Sequence, residues 1–293
     1  MGRDTGGNAR AARVMATLLS VLGVVAAGSV GFAVGDVLTA PVAIAATSRE
    51  TEDTQRGADF DWSWRLKPGQ TLTIKGINGG IHAVPASNSE AHLSAHKHAR
   101  RSDPSQVRIE VNTDEDGVTV CAIYPNRHGE PNTCEPGEDS HQHVDNNDVV
   151  VDFDAQVPDG VTLRAITVNG VIETEKLDGP VVARTVNGHI TVASRAWATA
   201  TTVNGAVRAE LGTSRWRDEL AFTTVNGSVT VALPHEASCE LDAGTVNGDV
   251  ETDFPVSVSG RISHRSLHGT LGDGGGHLKA NTVNGSIRLV EAR

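Results

Sequence analysis

Aromatic side chains make up only 3% of the 293 residues, and the hydrophobic fraction is 38%. A chain this poor in Phe, Trp and Tyr cannot fill the core of an ordinary globular domain of its length, because those residues carry the largest buried areas. Net positive charge is also missing. A formal charge of −11 and a pI near 5.5 exclude the basic footprint of a nucleic-acid-binding protein. Cysteine is scarce, with three residues and no C-x-x-C pair, which argues against a thiolate metal centre. What is plentiful is glycine, 31 residues, together with 11 prolines, and Val, Ile and Thr recur in order along most of the chain. That pattern excludes disorder and describes an acidic, turn-rich, all-β protein with a core of small side chains.

The N-terminus reads as an export signal. Arg3, Arg10 and Arg13 precede an apolar run from Val14 to Val34, then the small residues Ala43-Ile44-Ala45-Ala46, then a polar stretch. Basic, apolar, small and polar is the order of a secretory signal, and the run is also long enough to stay as a membrane anchor. No cysteine follows it, so a lipoprotein attachment site is excluded. The expected organisation is a signal peptide or anchor over residues 1–46, a linker over 47–59 and a β-repeat domain over 60–293. In an oxidising compartment Cys121 and Cys134 are candidates for a disulfide across the turn-rich segment between them, leaving Cys239 buried.

Thr-Val-Asn-Gly occurs six times, ending at Gly170, Gly188, Gly205, Gly227, Gly248 and Gly285. Two degraded copies, Gly76–Gly79 and Ser266–Gly269, extend the series, and from Gly170 to Gly285 the copies are 16 to 22 residues apart. A short fixed period marks a stacked repeat. Apolar or small residues recur at fixed distances before and after each glycine: Leu163, Val181 and Leu220 seven before, Ala165 and Ala183 five before, Ile172, Ile190 and Val207 two after. This parity makes each repeat a strand, a tight corner and a second strand, with the apolar residues on one face. The corner positions are Asn78, Gly79, Asn169, Gly170, Asn187, Gly188, Asn204, Gly205, Asn226, Gly227, Asn247, Gly248, Asn284 and Gly285, where the dipeptide tolerates positive φ.

Two architectures satisfy the parity. In a single-stranded right-handed β-helix each repeat is one coil, and the asparagines stack into a buried amide ladder. In an antiparallel meander each Asn-Gly is a hairpin turn. Near-identity of the copies favours the β-helix. Residues 84–162 interrupt the regular series (163–293) with strands of their own at His92–His96, Gln106–Asn112, Gly117–Tyr124 and Asp148–Val157, read as irregular coils near the N-terminal end.

Three features together resemble a bacterial family of candidate adhesins of unknown function, exported and β-helical. They are the serial Thr-Val-Asn-Gly, the segment Val-Asp-Phe-Asp-Ala-Gln-Val-Pro-Asp-Gly-Val at 151–161, and Gly-Thr-Leu-Gly-Asp-Gly-Gly-Gly at 269–276 running on to Leu289. The resemblance covers residues 60–293. It implies a fold and a location in the cell envelope, at the cell surface or secreted, and no catalytic residues. Related repeat domains are associated with envelope-stress or antimicrobial-compound sensing.

The residues themselves carry little chemistry. A polysaccharide-cleaving β-helix needs clustered carboxylates and aromatic sugar platforms, and the repeats have neither pattern. His92, His96 and His98, with His141 and His143, could be spaced to meet Zn²⁺ or Cu²⁺, and Asp145, Asp148, Asp152 and Asp154 could offer oxygens to Ca²⁺. The Asp set lacks the spacing of a known metal loop, both sets read as solvated surface, and no metal or other cofactor is expected. Gly272–Gly276 is followed by the next β repeat where a dinucleotide site needs a helix, and reads as a turn. The valine two residues before each repeat glycine (Val168, Val186, Val203, Val225, Val246 and Val283) falls opposite the core parity and would line up as an exposed apolar stripe. The expected function is therefore non-enzymatic: adhesin-like presentation of a rigid repeat surface to an envelope protein or a glycan, with sensing and a purely structural envelope role as the alternatives. The expected partners exclude nucleic acid, allow self-association, and involve a membrane only through an uncleaved N-terminal segment.

Overall fold

The computed structural model describes residues 59–126, 131–137, 144, 146–258 and 263–292. The expected N-terminal signal or anchor (1–46) and nearly all of the expected linker (47–59) lie outside the described residues. The first strands are β1 (Asp59–Arg65), β2 (Thr71–Lys75), β3 (Ile81–Pro85), β4 (Glu90–His98), β5 (Arg108–Thr113), β6 (Gly117–Ile123) and β7 (Val150–Val157). The regular repeats supply β8 (Thr162–Ile166), β9 (Ile172–Thr174), β10 (Val181–Arg184), β11 (Ile190–Ser194), β12 (Ala198–Thr201), β13 (Val207–Leu211), β14 (Glu219–Thr223) and β15 (Val229–Leu233). The last part contains β16 (Cys239–Asn247), β17 (Val250–Thr252), β18 (Val256–Val258), β19 (Ser266–Leu271), β20 (His277–Asn284) and β21 (Ile287–Glu291).

These strands form two sheets, one on each side of a single apolar core. The first runs β1-β4-β7-β3-β9-β11-β13-β15-β21-β17, the second β18-β19-β16-β20-β14-β12-β10-β8-β2-β6-β5. Each repeat contributes one strand to the second sheet, turns at its Asn-Gly corner, and contributes the next strand to the first. All pairings between repeat coils are parallel and in the register that the repeat spacing predicts: Leu163 opposite Leu72 and Val181, Ile172 opposite Ile81 and Ile190, Val207 opposite Val229. Parallel pairing excludes the hairpin meander. Among the described residues antiparallel strands occur only at the two ends of the stack, where β1, β4 and β5 close one end and β18 and β19 the other.

The core is built from equivalent small residues stacked on one another. Leu72, Leu163, Val181, Ala198, Leu220, Leu278 and Leu241 form one inner row, and Ile81, Ile172, Ile190, Val207, Val229 and Ile287 another, each at most 3% exposed. Phe222 is the aromatic residue that enters a repeat strand, and alanines Ala200 and Ala280 flank it in the coils on either side.

The coil order departs from the chain order in one place. The C-terminal coil, β20 and β21, sits between the coil of β14 and β15 and that of β16 and β17. After Leu233 the chain skips one coil position, builds the next coil and the antiparallel end strands, and then returns to fill the vacant position. Equal repeats give no sequence signal for this, since every coil offers its neighbours the same rows. One consequence is that Ser266–Gly269 is not a corner at all. It lies within β19, antiparallel to β16, and its His268 stands outside the asparagine series. The other degraded copy does fit, with Asn78 bridged to Asn169.

The insertion strands stack as well. β6 and β7 pair in parallel with β2 and β3, on the side away from the regular repeats. All residues of β6 are buried, on both faces. Its inner face (Val118, Val120, Ala122) joins the core, and its outer face is covered by residues 131–137, held by the Cys121–Cys134 disulfide with Cα atoms 5.6 Å apart. Asn132 donates to the Tyr124 carbonyl (2.8 Å), and Lys75 Nζ donates to the Glu135 carbonyl (2.7 Å), fixing the same cover. Tyr124 Oη in turn donates to the Val149 carbonyl at 2.9 Å, and burial pushes its phenol up to about 12.

Three measurements by urea unfolding check this packing. Gly205→Ala places a methyl into the carbonyl of Gly188 in the neighbouring coil, which costs about 2 kcal/mol or more. Gly244→Ala, whose nearest neighbour would be an Asn281 side chain at 3.5 Å, is expected to stay within about 0.5 kcal/mol of the parent. Replacing both Cys121 and Cys134 by serine removes about 3 kcal/mol, the scale for a loop of this length.

Candidate functional site

The corner of each coil is the most regular surface of the molecule. Thr167, Thr185, Thr202, Thr224 and Thr282 point inward and are at most 2% exposed. Their hydroxyls donate to the corner-glycine carbonyl of the adjacent coil: Thr167 to Gly79, Thr185 to Gly170 and Thr202 to Gly188 at 3.0 Å, Thr224 to Gly205 and Thr282 to Gly227 at 2.8 Å. Thr245, less deeply placed, closes the series on Gly285.

The asparagines form the expected amide ladder. Asn78, Asn169, Asn187, Asn204, Asn226, Asn284 and Asn247 are joined by six side-chain hydrogen bonds of 2.8–2.9 Å, each amide nitrogen donating to the preceding amide oxygen. The ladder is on the outside, however. From Asn169 onward its members are exposed, and Asn78 is half-buried. The threonine occupies the inward position at the corner, which turns the asparagine two residues later toward solvent. The glycines also differ from the expectation. Positive φ occurs at Gly79 (+122°), Gly248 and Gly285. At Gly170, Gly188, Gly205 and Gly227 the requirement is close approach, since a Cβ would overlap the carbonyl oxygen of the corner glycine one coil away.

The valines face outward as the parity predicts. Val168 is 37% exposed, and Val186, Val203, Val225, Val246 and Val283 are half-buried. Ile77 occupies the same position in the first coil. The carbonyls of Val168, Val186, Val203 and Val225 are each engaged by the next coil, as in Asn187 N–H to Val168 at 2.7 Å and Asn204 N–H to Val186 at 2.8 Å. The result is an uncharged strip of stacked Val beside stacked Asn. Ion pairs lie on the sheet faces and at the turns between coils, such as Lys176–Glu210 (2.7 Å), Arg195–Asp178 (2.7 Å) and Arg288–Glu251 (2.9 Å).

A second polar cluster lies on the outer face of the first sheet, over β3, β4 and β7. Asp154 is held between His82 (3.2 Å) and His96 (3.8 Å), His98 faces Asp152 (3.7 Å), and His92 faces Asp61 (3.9 Å). His82, Asp152, Asp154 and Glu173 line a shallow depression of about 320 Å³. The strand spacing brings His92, His96, His98, Asp152 and Asp154 together, but His82 was not legible as a partner, because it reaches Asp154 only through the parallel pairing of β3 with β7. Asp148 stands apart. It accepts from the backbone N–H groups of Ser102 (2.8 Å) and Arg101 (3.1 Å), and those bonds hold its carboxyl below the usual carboxylate range. His141, His143 and Asp145 lie outside the described residues. Among the described residues no three His, Cys, Asp or Glu side chains are arranged to hold a metal ion.

Cys239 is buried, and that burial, with Glu240 beside it, pushes its thiol up to about 12. It is a packing residue of β16. The glycine-rich segment 272–276 is the turn between β19 and β20, with positive φ at Gly272, Gly274 and Gly275. Among the described residues no helix is long and apolar enough to cross a membrane.

No curated protein matches the chain. Among solved structures, it resembles a candidate cell adhesion protein from Clostridium sporogenes, with 9% identity, a TM-score of 0.47, and coverage of 80% of this chain and 100% of the other. A candidate adhesin from Bacteroides fragilis aligns at 10% identity and a TM-score of 0.32, covering 80% of this chain and 97% of its own. A candidate lipid binding protein from Parabacteroides distasonis aligns at 10% identity and a TM-score of 0.24, with the same coverage. At such scores the alignments transfer no role. The model of one protein family does match, over residues 162–290, the span that contains all six complete Thr-Val-Asn-Gly corners. Over that span the regular repeat stack is similar to the Toastrack DUF4097 domain.

Proposed function

We propose that this is a non-enzymatic protein of the cell envelope, exported by its N-terminal segment, whose Toastrack-like stack presents a rigid surface to an envelope protein or glycan in the manner of an adhesin. The observation that carries this reading is the outward strip of Ile77, Val168, Val186, Val203, Val225, Val283 and Val246 beside the exposed asparagine ladder. Seven coils at the spacing of paired strands make it about 29 Å long. Its apolar methyls and its amides are held by the coils and have no freedom to lose on contact, which lowers the entropic cost of binding. An uncharged strip between charged sheet faces is the kind of patch that marks an association surface.

The chemistry of the remaining groups supports presentation over catalysis. The free thiol is packed in the core, and many of the exposed carboxylates are paired with Arg, Lys or His. Anchoring by residues 1–46 or release after cleavage both leave the strip outside the cytoplasm.

Replacing Val203 and Val225 together by threonine tests the reading. Both positions point outward and remain β-branched, so the urea midpoint is expected to shift by less than about 1 kcal/mol equivalent. Retention of the folded variant on isolated cell envelopes is expected to fall at least tenfold. Retention at the parent level by a folded variant contradicts the proposal.

A further inference from the structure

The two sheets end unevenly at the insertion end of the stack. Beyond the coil of β2 and β3, the first sheet continues through β7, β4 and β1, and the second only through β6 and β5. Counted in strands, β1 overhangs by one. Its inward side chains include Trp62, which packs on the core, and Trp64, which is 48% exposed and stacks on Trp62 at 6.3 Å. Trp64 is the most exposed large hydrophobic side chain among the described residues.

The outer edge of β1 is unpaired among the described residues. Leu66 N–H donates to the Ser89 carbonyl, so the even-numbered residues of this antiparallel pair turn their backbone groups toward β4 and the odd-numbered ones turn theirs outward. Asp61, Ser63 and Arg65 therefore present three N–H and three C=O groups at a free edge. Natural sheets blunt such edges with proline, bulges, a cover or repelling charges, most often lysine, whereas the outward charges of β1, Asp61 and Arg65, are of opposite sign. The other end of the same sheet is protected: β17 is three residues long, and its Val250 N–H donates to the His264 carbonyl at 2.8 Å. The segment Asp59–Arg65, Asp-Phe-Asp-Trp-Ser-Trp-Arg, contains no proline, glycine or lysine.

That segment is complementary to itself. We infer that the free edge of β1 is an interface for a second copy of this chain, joined by antiparallel pairing of β1 with β1 about a two-fold axis, so that the two first sheets become one. Pairing about Ser63 sets Asp61 opposite Arg65 of the copy twice on the outer face, and Trp62 opposite Trp64 of the copy twice on the inner face. All three outward N–H groups then meet outward C=O groups. Pairing about Asp61 instead would oppose that carboxylate to itself and is disfavoured. The overhang gives the tryptophans their place. Two overhanging strands leave a space opposite them where the second sheets end, and the four indoles are the widest side chains available to fill it.

Sedimentation of the full chain over a range of concentrations, in density-matched detergent to accommodate the apolar Val14–Val34 run, tests the interface. The parent is expected to show a monomer–dimer equilibrium. Ser63→Pro removes an outward N–H that makes no bond to β4, and proline is compatible with an edge strand. It is expected to raise the dissociation constant at least tenfold with the thermal midpoint unchanged. Arg65→Asp is expected to do the same, and the swap Asp61→Arg with Arg65→Asp to restore dimerisation to within about threefold of the parent. A parent that stays monomeric overturns the inference. So does a dimer that survives Ser63→Pro and Arg65→Asp, which would place association elsewhere, including in the Val14–Val34 run. A charge swap that fails to rescue a folded chain also counts against it.

Discussion

The structure depends on how closely two backbones can approach at the corner of a coil. Parallel strands lie about 4.8 Å apart, and at Gly170, Gly188, Gly205 and Gly227 no Cβ fits between one corner and the next. That approach leaves the glycine carbonyl turned into the protein, where an unpaired acceptor costs about 1–3 kcal/mol. The threonine three residues before the next corner glycine meets that carbonyl with its hydroxyl, and the same arrangement repeats from Gly79 to Gly285. Glycine makes the gap narrow and threonine makes it dry. The rest of the repeat follows from those two residues. The strand leaving the corner must carry its apolar residues two and four positions on, and the valine and asparagine between must face solvent.

A stack tied this way needs no large side chains. Each coil buries its leucines, isoleucines, valines and alanines against copies of themselves, which accounts for the scarcity of aromatic residues. Six of the nine aromatic residues among the described residues lie outside the regular coils: Phe60, Trp62 and Trp64 on the overhanging β1, Tyr124 and Phe153 in the insertion coil, and Phe254 beyond β17; Trp197, Trp216 and Phe222 pack within the repeats. The C-terminal coil shows how little distinguishes one position in the stack from another. Because Asn226, Asn284 and Asn247 bond in that order, the final coil fits between two others as well as it would at the end.

Much of the architecture was legible in the repeat spacing. The rows at seven and five residues before the glycine and two after it predicted the register of the parallel pairs, and the outward parity of the valines followed from the same count. Three features were not legible, each for a physical reason. Period alone does not order identical coils, so the intercalation of β20 and β21 was hidden and Ser266–Gly269 passed for a corner. The direction of Asn against Thr depends on which of the two meets the glycine carbonyl, so the amide ladder was expected inside and stands outside. The contact of His82 with Asp154 crosses 72 residues of sequence, and the overhang of β1 comes from the unequal lengths of two sheets. Neither leaves a mark on local pattern. The outward strip was visible in sequence, and the structure added its length, its lack of charge and its neighbouring ladder.

The inward hydroxyl, not the outward amide, is the tie between coils. Equilibrium urea unfolding of Thr202→Val beside Asn204→Ala separates the two within one corner. Valine preserves the shape of threonine and leaves the Gly188 carbonyl without its donor, so Thr202→Val is expected to lose about 1–3 kcal/mol. Asn204→Ala removes ladder bonds that water can replace and is expected to lose no more than about 1 kcal/mol. A larger loss from Asn204→Ala than from Thr202→Val would contradict the account.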